Sequence, residues 1–453
     1  GNTYVGYNSM INNNNNIIIF ILMRMKNHFS KMGMALLNAA LLSTVGFTSC
    51  ADDKFHLKDY EESTPEFLGQ SIYHELQNRG EFSTVLRLID DLEYAEVLSK
   101  TGSKTLFVAN DSAYAEFFKN NPWGVTSYDD LSKNQKRVLL NSSMLNNAYV
   151  LEMLANIEGG GKNLCLRQGT SATASDSVTR WAVTELPATQ SAVDMDWFKA
   201  LREKGDSVYM ALDATDPMMS HFLEGQMKMK SITFADVEKI MGQPYFLDGK
   251  SSFGFINDCR IIDGDIVCLN GYIHLLDKVL LPPGNMAEMI RSNGQTNLFS
   301  AMLDRFAAPY YNEQLTRQYK ALNDIPADSI YEKRYISNRS QGGGKIAKRP
   351  DELNFGGDQQ FLPFDPGWNQ YAVSSSTSKE QDMAAMFVPS DEAMINYFVK
   401  GGGVDLIQRY GTLPNTEENL LTNLYQIPLH LIQPLIQNLM KDSFNESVPS
   451  KFL

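Results

Sequence analysis

Histidine, cysteine and tryptophan are scarce in this 453-residue chain, at six, four and four copies, and its 40 Lys and Arg are outnumbered by 53 Asp and Glu. The acidic balance argues against a nucleic-acid partner, because reading phosphates requires clustered cations. His56, His74, His221, His274 and His430 are scattered, with none in the His-x-x-x-His or Glu-adjacent spacing of a zinc site. No Gly-x-Ser-x-Gly elbow is present. Gly159-Gly160-Gly161-Lys162 and Gly342-Gly343-Gly344-Lys345 have the wrong glycine spacing for a phosphate loop. Asn163 and Ile346 stand where a Ser or Thr would bind magnesium, so both stretches read as loops. Carboxylate pairs such as Asp90-Asp91 and Asp129-Asp130 read as solvated helix ends or turns. No catalytic residue, metal ligand or cofactor site is assigned, and the chain is expected not to be an enzyme. The 43% hydrophobic content is that of an ordinary globular protein.

The N-terminal region reads as a leader. Asn12 to Asn16 form an Asn tract, followed by Ile17, Ile18, Ile19, Phe20, Ile21 and Leu22, as translated AT-rich non-coding DNA would give. Met25 is the expected start. Lys26 and Lys31 supply a positive n-region, and the uncharged apolar stretch 32–45 has the length of a signal-peptide core. It is shorter than the about 20 residues that span a bilayer. Thr48 and Ser49 then precede Cys50, an arrangement that resembles a bacterial lipobox, with Phe47 where an aliphatic residue is usual. The resemblance implies residues 1–49 as upstream sequence and signal peptide, Cys50 as the lipid attachment site, and 50–68 as lipidated cysteine and tether. Ala51-Asp52-Asp53-Lys54 resembles the export tag of Bacteroidetes surface lipoproteins, which implies an outer-membrane, cell-surface location. The leader holds three cations and no acid, so its removal takes the net charge from −13 to about −16. Beyond Cys50 the cysteines are Cys165, Cys259 and Cys268, an odd set without close pairing. They are expected to be buried free thiols rather than a disulfide framework.

A repeat organises the body. Thr105-Leu106-Phe107-Val108-Ala109-Asn110-Asp111-Ser112-Ala113-Tyr114 matches Ala385-Met386-Phe387-Val388-Pro389-Ser390-Asp391-Glu392-Ala393-Met394. Each reads as a buried strand, a polar turn and a helix. Asn110 or Ser390 can cap that helix, and the adjacent acid sits at its positive end. Upstream, Phe82-Ser83-Thr84-Val85-Leu86 parallels Phe299-Ser300-Ala301-Met302-Leu303. The second copy therefore carries an insertion, at about 307–384. The first copy closes with Ile266-Val267-Cys268-Leu269, a two-residue Asn270-Gly271 hairpin signal, a returning strand from Tyr272, and Pro282-Pro283-Gly284.

The first box resembles the opening signature of fasciclin (FAS1) domains. Asn270-Gly271-Tyr272-Ile273-His274-Leu275-Leu276-Asp277, with Val279-Leu280-Leu281-Pro282, is similar to the family's closing box. The resemblance implies an α+β fold, a twisted β-sheet wedge with packed helices, in tandem. Domain 1 is expected over 69–284 with an internal insertion, and domain 2 over 285–453, ending before its closing strands. It implies structural motif roles for Phe107, Asn110, Asp111, Asn270, Gly271, His274, Asp277, Phe387, Ser390 and Asp391. It also implies adhesion or extracellular protein or glycan binding. The family's Tyr-His pair is replaced near Asn141-Ser142 in the first copy, and Leu429-His430 is the nearest match in the second. An animal-type integrin role is therefore not supported. An alternative is an accessory ligand-binding lipoprotein of an outer-membrane glycan or nutrient uptake system. Trp123, Trp181, Trp197 and Trp368 are candidate sugar-facing aromatics, although core packing is the simpler account of all four.

Overall fold

Thr105 to Ala109 are apolar at every position but one because both faces of this strand are covered, as in a central strand. In the computed structural model Leu106 and Val108 point into one core cluster and Phe107 into another. The structure describes residues 69–100, 102–155, 167–186, 202–203, 207–211, 217–247, 253–323, 329–335, 337, 362–367, 384–441 and 443–452. Cys50, Cys165, Trp197, Trp368 and the leader lie outside them.

The first half opens with helices α1 (Ile72–Arg79), α2 (Ser83–Asp91) and α3 (Ala95–Lys100). Strand β1 (Lys104–Ala109) runs into α4 (Asp111–Lys119), then α5 (Lys133–Asn141) and β2 (Met144–Leu145). After α6 (Leu151–Ala155) come β3 (Arg167–Gly169), β4 (Val178–Trp181), β5 (Val208–Ala211) and β6 (Met218–Phe222). Helices α7 (Glu224–Lys230) and α8 (Phe234–Met241) follow, then β7 (Phe255–Ile256), β8 (Cys259–Cys268) and β9 (Gly271–Leu276). Seven of these strands form one sheet in the order β2-β1-β9-β8-β7-β6-β3. Strand β9 lies parallel to β1, with Leu106 opposite Ile273 and Phe107 opposite His274. The opening and closing boxes, more than 150 residues apart in sequence, are therefore central neighbours. The β8–β9 hairpin forms as expected, but its two-residue turn is Leu269-Asn270, one position earlier, because Gly271 already pairs with Cys268 as the first residue of β9. Irregular register between Ile261 and Ile266 bends β8. Helices α1, α2 and α4 contribute Leu76, Leu88 and Tyr114 to the cluster on one face. Leu154 and Met219 belong to the cluster on the other. This mixture of helices and a curled sheet is an α+β arrangement.

The second half begins with α9 (Met286–Ser292), α10 (Asn297–Asp304), β10 (Ala307–Tyr311), α11 (Glu313–Leu322) and β11 (Ile330–Tyr335). It continues through β12 (Ala385–Met386), α12 (Asp391–Ile395), α13 (Val404–Tyr410), α14 (Leu420–Leu424), α15 (Leu429–Gln437), β13 (Met440–Lys441) and α16 (Pro449–Phe452). Strand β12 pairs with β13, as β1 pairs with β2. A third sheet, in the order β10-β11-β5-β4, takes strands from both sides of the boundary expected at 284/285. Phe67–Leu453 form one compact unit.

Candidate functional site

The two motif copies do the same mechanical work, and Asp111 and Asp391 are its centre. Asp111 Oδ1 accepts the Thr84 N–H at 2.8 Å, and Oδ2 accepts the Ser83 N–H and hydroxyl at 2.9 and 2.8 Å. Asp391 Oδ1 accepts the Leu298 N–H at 2.7 Å, and Oδ2 accepts the Asn297 amide at 2.9 Å. Each acid thus stitches itself to the start of the upstream helix, α2 or α10, whose own N-cap residue makes no side-chain cap. The expected role, at the start of the acid's own helix, understates this. Burial would raise the Asp111 carboxyl, but the bonds from Thr84 and Ser83 outweigh it and hold the group below the usual carboxylate range. Asn110 and Ser390 cap their own helices as expected, accepting the Ala113 and Ala393 N–H groups at 3.0 and 3.2 Å.

These bonds also correct the alignment of the copies. Phe82 and Thr296 are the equivalent N-caps, with φ −124°, ψ 34° and φ −129°, ψ 29°. Val85, not Phe82, is therefore the counterpart of Phe299. The Tyr-His position is corrected as well. Helix α5 ends at Asn141 and leads into β2, and α15 ends at Gln437 and leads into β13. Gln437-Asn438 occupy the place of Asn141-Ser142, whereas Leu429-His430 open α15 two turns earlier. The copies differ at their phenylalanine: Phe107, beside β9, is 1% exposed, and Phe387 is 39% exposed. Asp111→Ala should cost about 2–3 kcal/mol by leaving the first turn of α2 without its acceptor, and Asp391→Ala about 1–2 kcal/mol. Urea unfolding of the two variants measures both.

The closing box is occupied in the same internal way. Asn270, 5% exposed, accepts the Ile72 N–H and donates to the Leu98 carbonyl, both at 2.9 Å. Gly271 sits at φ +149° against Lys104. His274 is fully buried, with its ring 4.9 Å from that of Phe107. Its Nδ1 receives the Asp265 N–H at 3.0 Å, so it must be the bare nitrogen. Nε2 then carries the proton and donates to the Tyr149 carbonyl at 3.0 Å. Burial holds the imidazole pKa down, and the ring stays neutral. Asp277 exchanges two bonds with the Arg260 main chain, and its carboxyl is raised by burial. The motif side chains therefore serve as fasteners.

His221, absent from the expected set, is a second buried histidine. Its Nδ1 lies 2.5 Å from Gln226 Oε1, and its Nε2 has no partner. Burial lowers its pKa to about 4. The unfolded histidine titrates near 6.5 and so binds protons first as pH falls. Stability is then full above pH 6.5 and declines toward pH 4, by about 3 kcal/mol from this group. Urea midpoints of wild type and His221→Met should diverge over that window; parallel pH curves would refute the assignment.

Trp181, a candidate ligand aromatic, is corrected to a core residue. It is 6% exposed, lies in the second half's core, and has the Arg291 guanidinium 4.1 Å from its ring centroid. Trp123 packs edge-on against Phe117 at 5.8 Å, half-buried at the rim of the first core. Cys259 and Cys268 are buried free thiols, with pKa values pushed up by burial, in Cys268 to about 12. Among the described residues no group of three or more His, Cys, Asp or Glu could hold a metal ion, and no helix is long and apolar enough to cross a membrane. Arg137 and Asp236, both buried and bonded to distant parts of the chain, were not singled out by sequence reasoning. Arg137 carries no distinguishing signal, because Lys136 precedes it and Lys133 opens the same helix.

Residues 198–282 match the family model described as Fasciclin domain. The match spans β5 to β9 and includes the closing box. No curated protein matches the chain.

Proposed function

We propose that this protein is a cell-surface lipoprotein that acts in adhesion, binding an extracellular protein or polysaccharide, and that it performs no catalysis. The Fasciclin domain at 198–282 carries the reading, since adhesion or binding is compatible with that domain. The internal use of Asp111, Asn270, His274 and Asp391 supports it, because recognition is then left to the surface rather than to a reactive cluster. The acidic balance directs the choice of partner away from nucleic acid. The lipobox-like Thr48-Ser49-Cys50 and the acidic residues after it support an outer-membrane anchor with the body outside the cell. The glycan-uptake alternative draws no support from Trp181, whose ring is covered.

Two measurements test this. Cells fed a clickable palmitate analogue should label the wild-type chain and not Cys50→Ala, and external protease should degrade only the anchored form. Cells displaying the protein should be retained several-fold better than a deletion strain on surfaces coated with extracellular proteins or polysaccharides. Equal retention, with display verified by protease, refutes the adhesive role.

A further inference from the structure

The halves exchange segments in both directions. From the first half, β4 and β5 stand apart from the seven-stranded sheet, and β5 pairs in parallel with β11, with Ile330 opposite Tyr209 and Glu332 opposite Ala211. Trp181, Leu186, Val208 and Met210 are buried in the cluster that also holds Phe299, Phe398 and Ile432. From the second half, Val448 is buried with Phe222, Val237 and Tyr245, and Phe444 packs on the same cluster. Asp236, 1% exposed, accepts both the N–H and the hydroxyl of Ser450 at 2.7 Å.

A polar contact ties the region where the halves meet. Arg137, 7% exposed on α5, donates to Asp176 Oδ1 at 3.0 Å and to Asn323 Oδ1 at 2.8 Å. Asp176 precedes β4, and Asn323 ends α11. One guanidinium thus holds the first half's insertion against the second half's. A buried pair of this kind is difficult to open, since separation leaves a charge without a partner.

Domains joined only by a linker usually meet over modest, polar surfaces and move independently. Here each half lacks part of its core or sheet unless the other supplies it. We propose that the reciprocal segments form a clasp that makes each half's fold conditional on the other, so that the protein opens as one unit.

Hydrogen exchange read by mass spectrometry along a urea series on the full chain tests this. Peptides from β9 and from α10, deep in the first and second halves, should share one unfolding midpoint. Two midpoints would overturn the clasp. Ser450→Ala removes one hydroxyl from a helix of four residues. It should shift the β9 and α10 midpoints together, although Ser450 lies in neither element. A shift confined to α8, where Asp236 sits, would overturn it too.

Discussion

Gly271→Ala is expected to prevent the chain from folding, or to leave it at least about 4 kcal/mol less stable, a loss reserved for backbone clashes and ruptured cores. A β-carbon built on Gly271 would lie 1.8 Å from the Lys104 carbonyl oxygen and 2.8 Å from its carbon. Both atoms are main chain, so no rotamer change relieves the contact. The backbone also sits at φ +149°, where side chains are disfavoured. Lys104 cannot retreat, since it is held in register opposite Gly271 and donates its N–H to the Asn270 carbonyl at 3.1 Å. Displacing it would part β9 from β1 at the centre of the sheet. Circular dichroism and urea unfolding measure the outcome, and a soluble variant melting within a few degrees of wild type would show that the close approach is wrong.

Asn270→Ala is expected to cost about 3–4 kcal/mol. The amide side chain joins α1 to α3 by bonding the Ile72 N–H and the Leu98 carbonyl, partners 198 and 172 residues away. Its loss leaves a buried donor and a buried acceptor unpaired, at about 1–3 kcal/mol each. Asn270→Asp separates the two bonds. It keeps the acceptor for Ile72 but sets a carboxylate oxygen against the Leu98 carbonyl, so it should be no better than alanine near neutral pH. If Asn270→Ala unfolds within 1 kcal/mol of wild type, the residue serves the turn alone.

Much of this architecture was legible in local sequence. The run Leu106-Phe107-Val108 announced a strand covered on both faces, Asn270-Gly271 a tight hairpin whose turn lies one residue earlier, at Leu269-Asn270, and Asn110 and Ser390 helix caps, all of which depend on neighbours a few residues away. The true partners of Asp111 and Asp391 were not legible, because the helix each acid stitches lies upstream across a gap that pattern cannot bridge. Phenylalanine matching then misled by three residues: Phe82 and Phe299 look alike but occupy different positions of α2 and α10. The β5–β11 pairing was hidden for a related reason. Tyr209 and Ile330 are each ordinary strand residues, and nothing near either names its partner. Trp181 could not be assigned from sequence because a tryptophan can serve a sugar or a core; core packing was the simpler account, and its burial in the second half's core with Arg291 over the ring decides. For the site itself, the motif residues were found, and their internal bonding set their meaning.

The stitch made by the two aspartates bears on how such a protein can grow. The Thr84–Asp111 bond closes a ring of chain spanning 27 positions, and the Leu298–Asp391 bond one spanning 93. Ring-closure entropy rises only as the logarithm of length, so the longer circuit costs about 1 kcal/mol more. A carboxylate bonded to a helix start is of comparable strength, which means that foreign sequence of almost any size can be spliced between the two points while the ends still find each other. The exposed Gly102, between α3 and β1 in the first half, is thus a natural graft point for a reporter or an affinity tag.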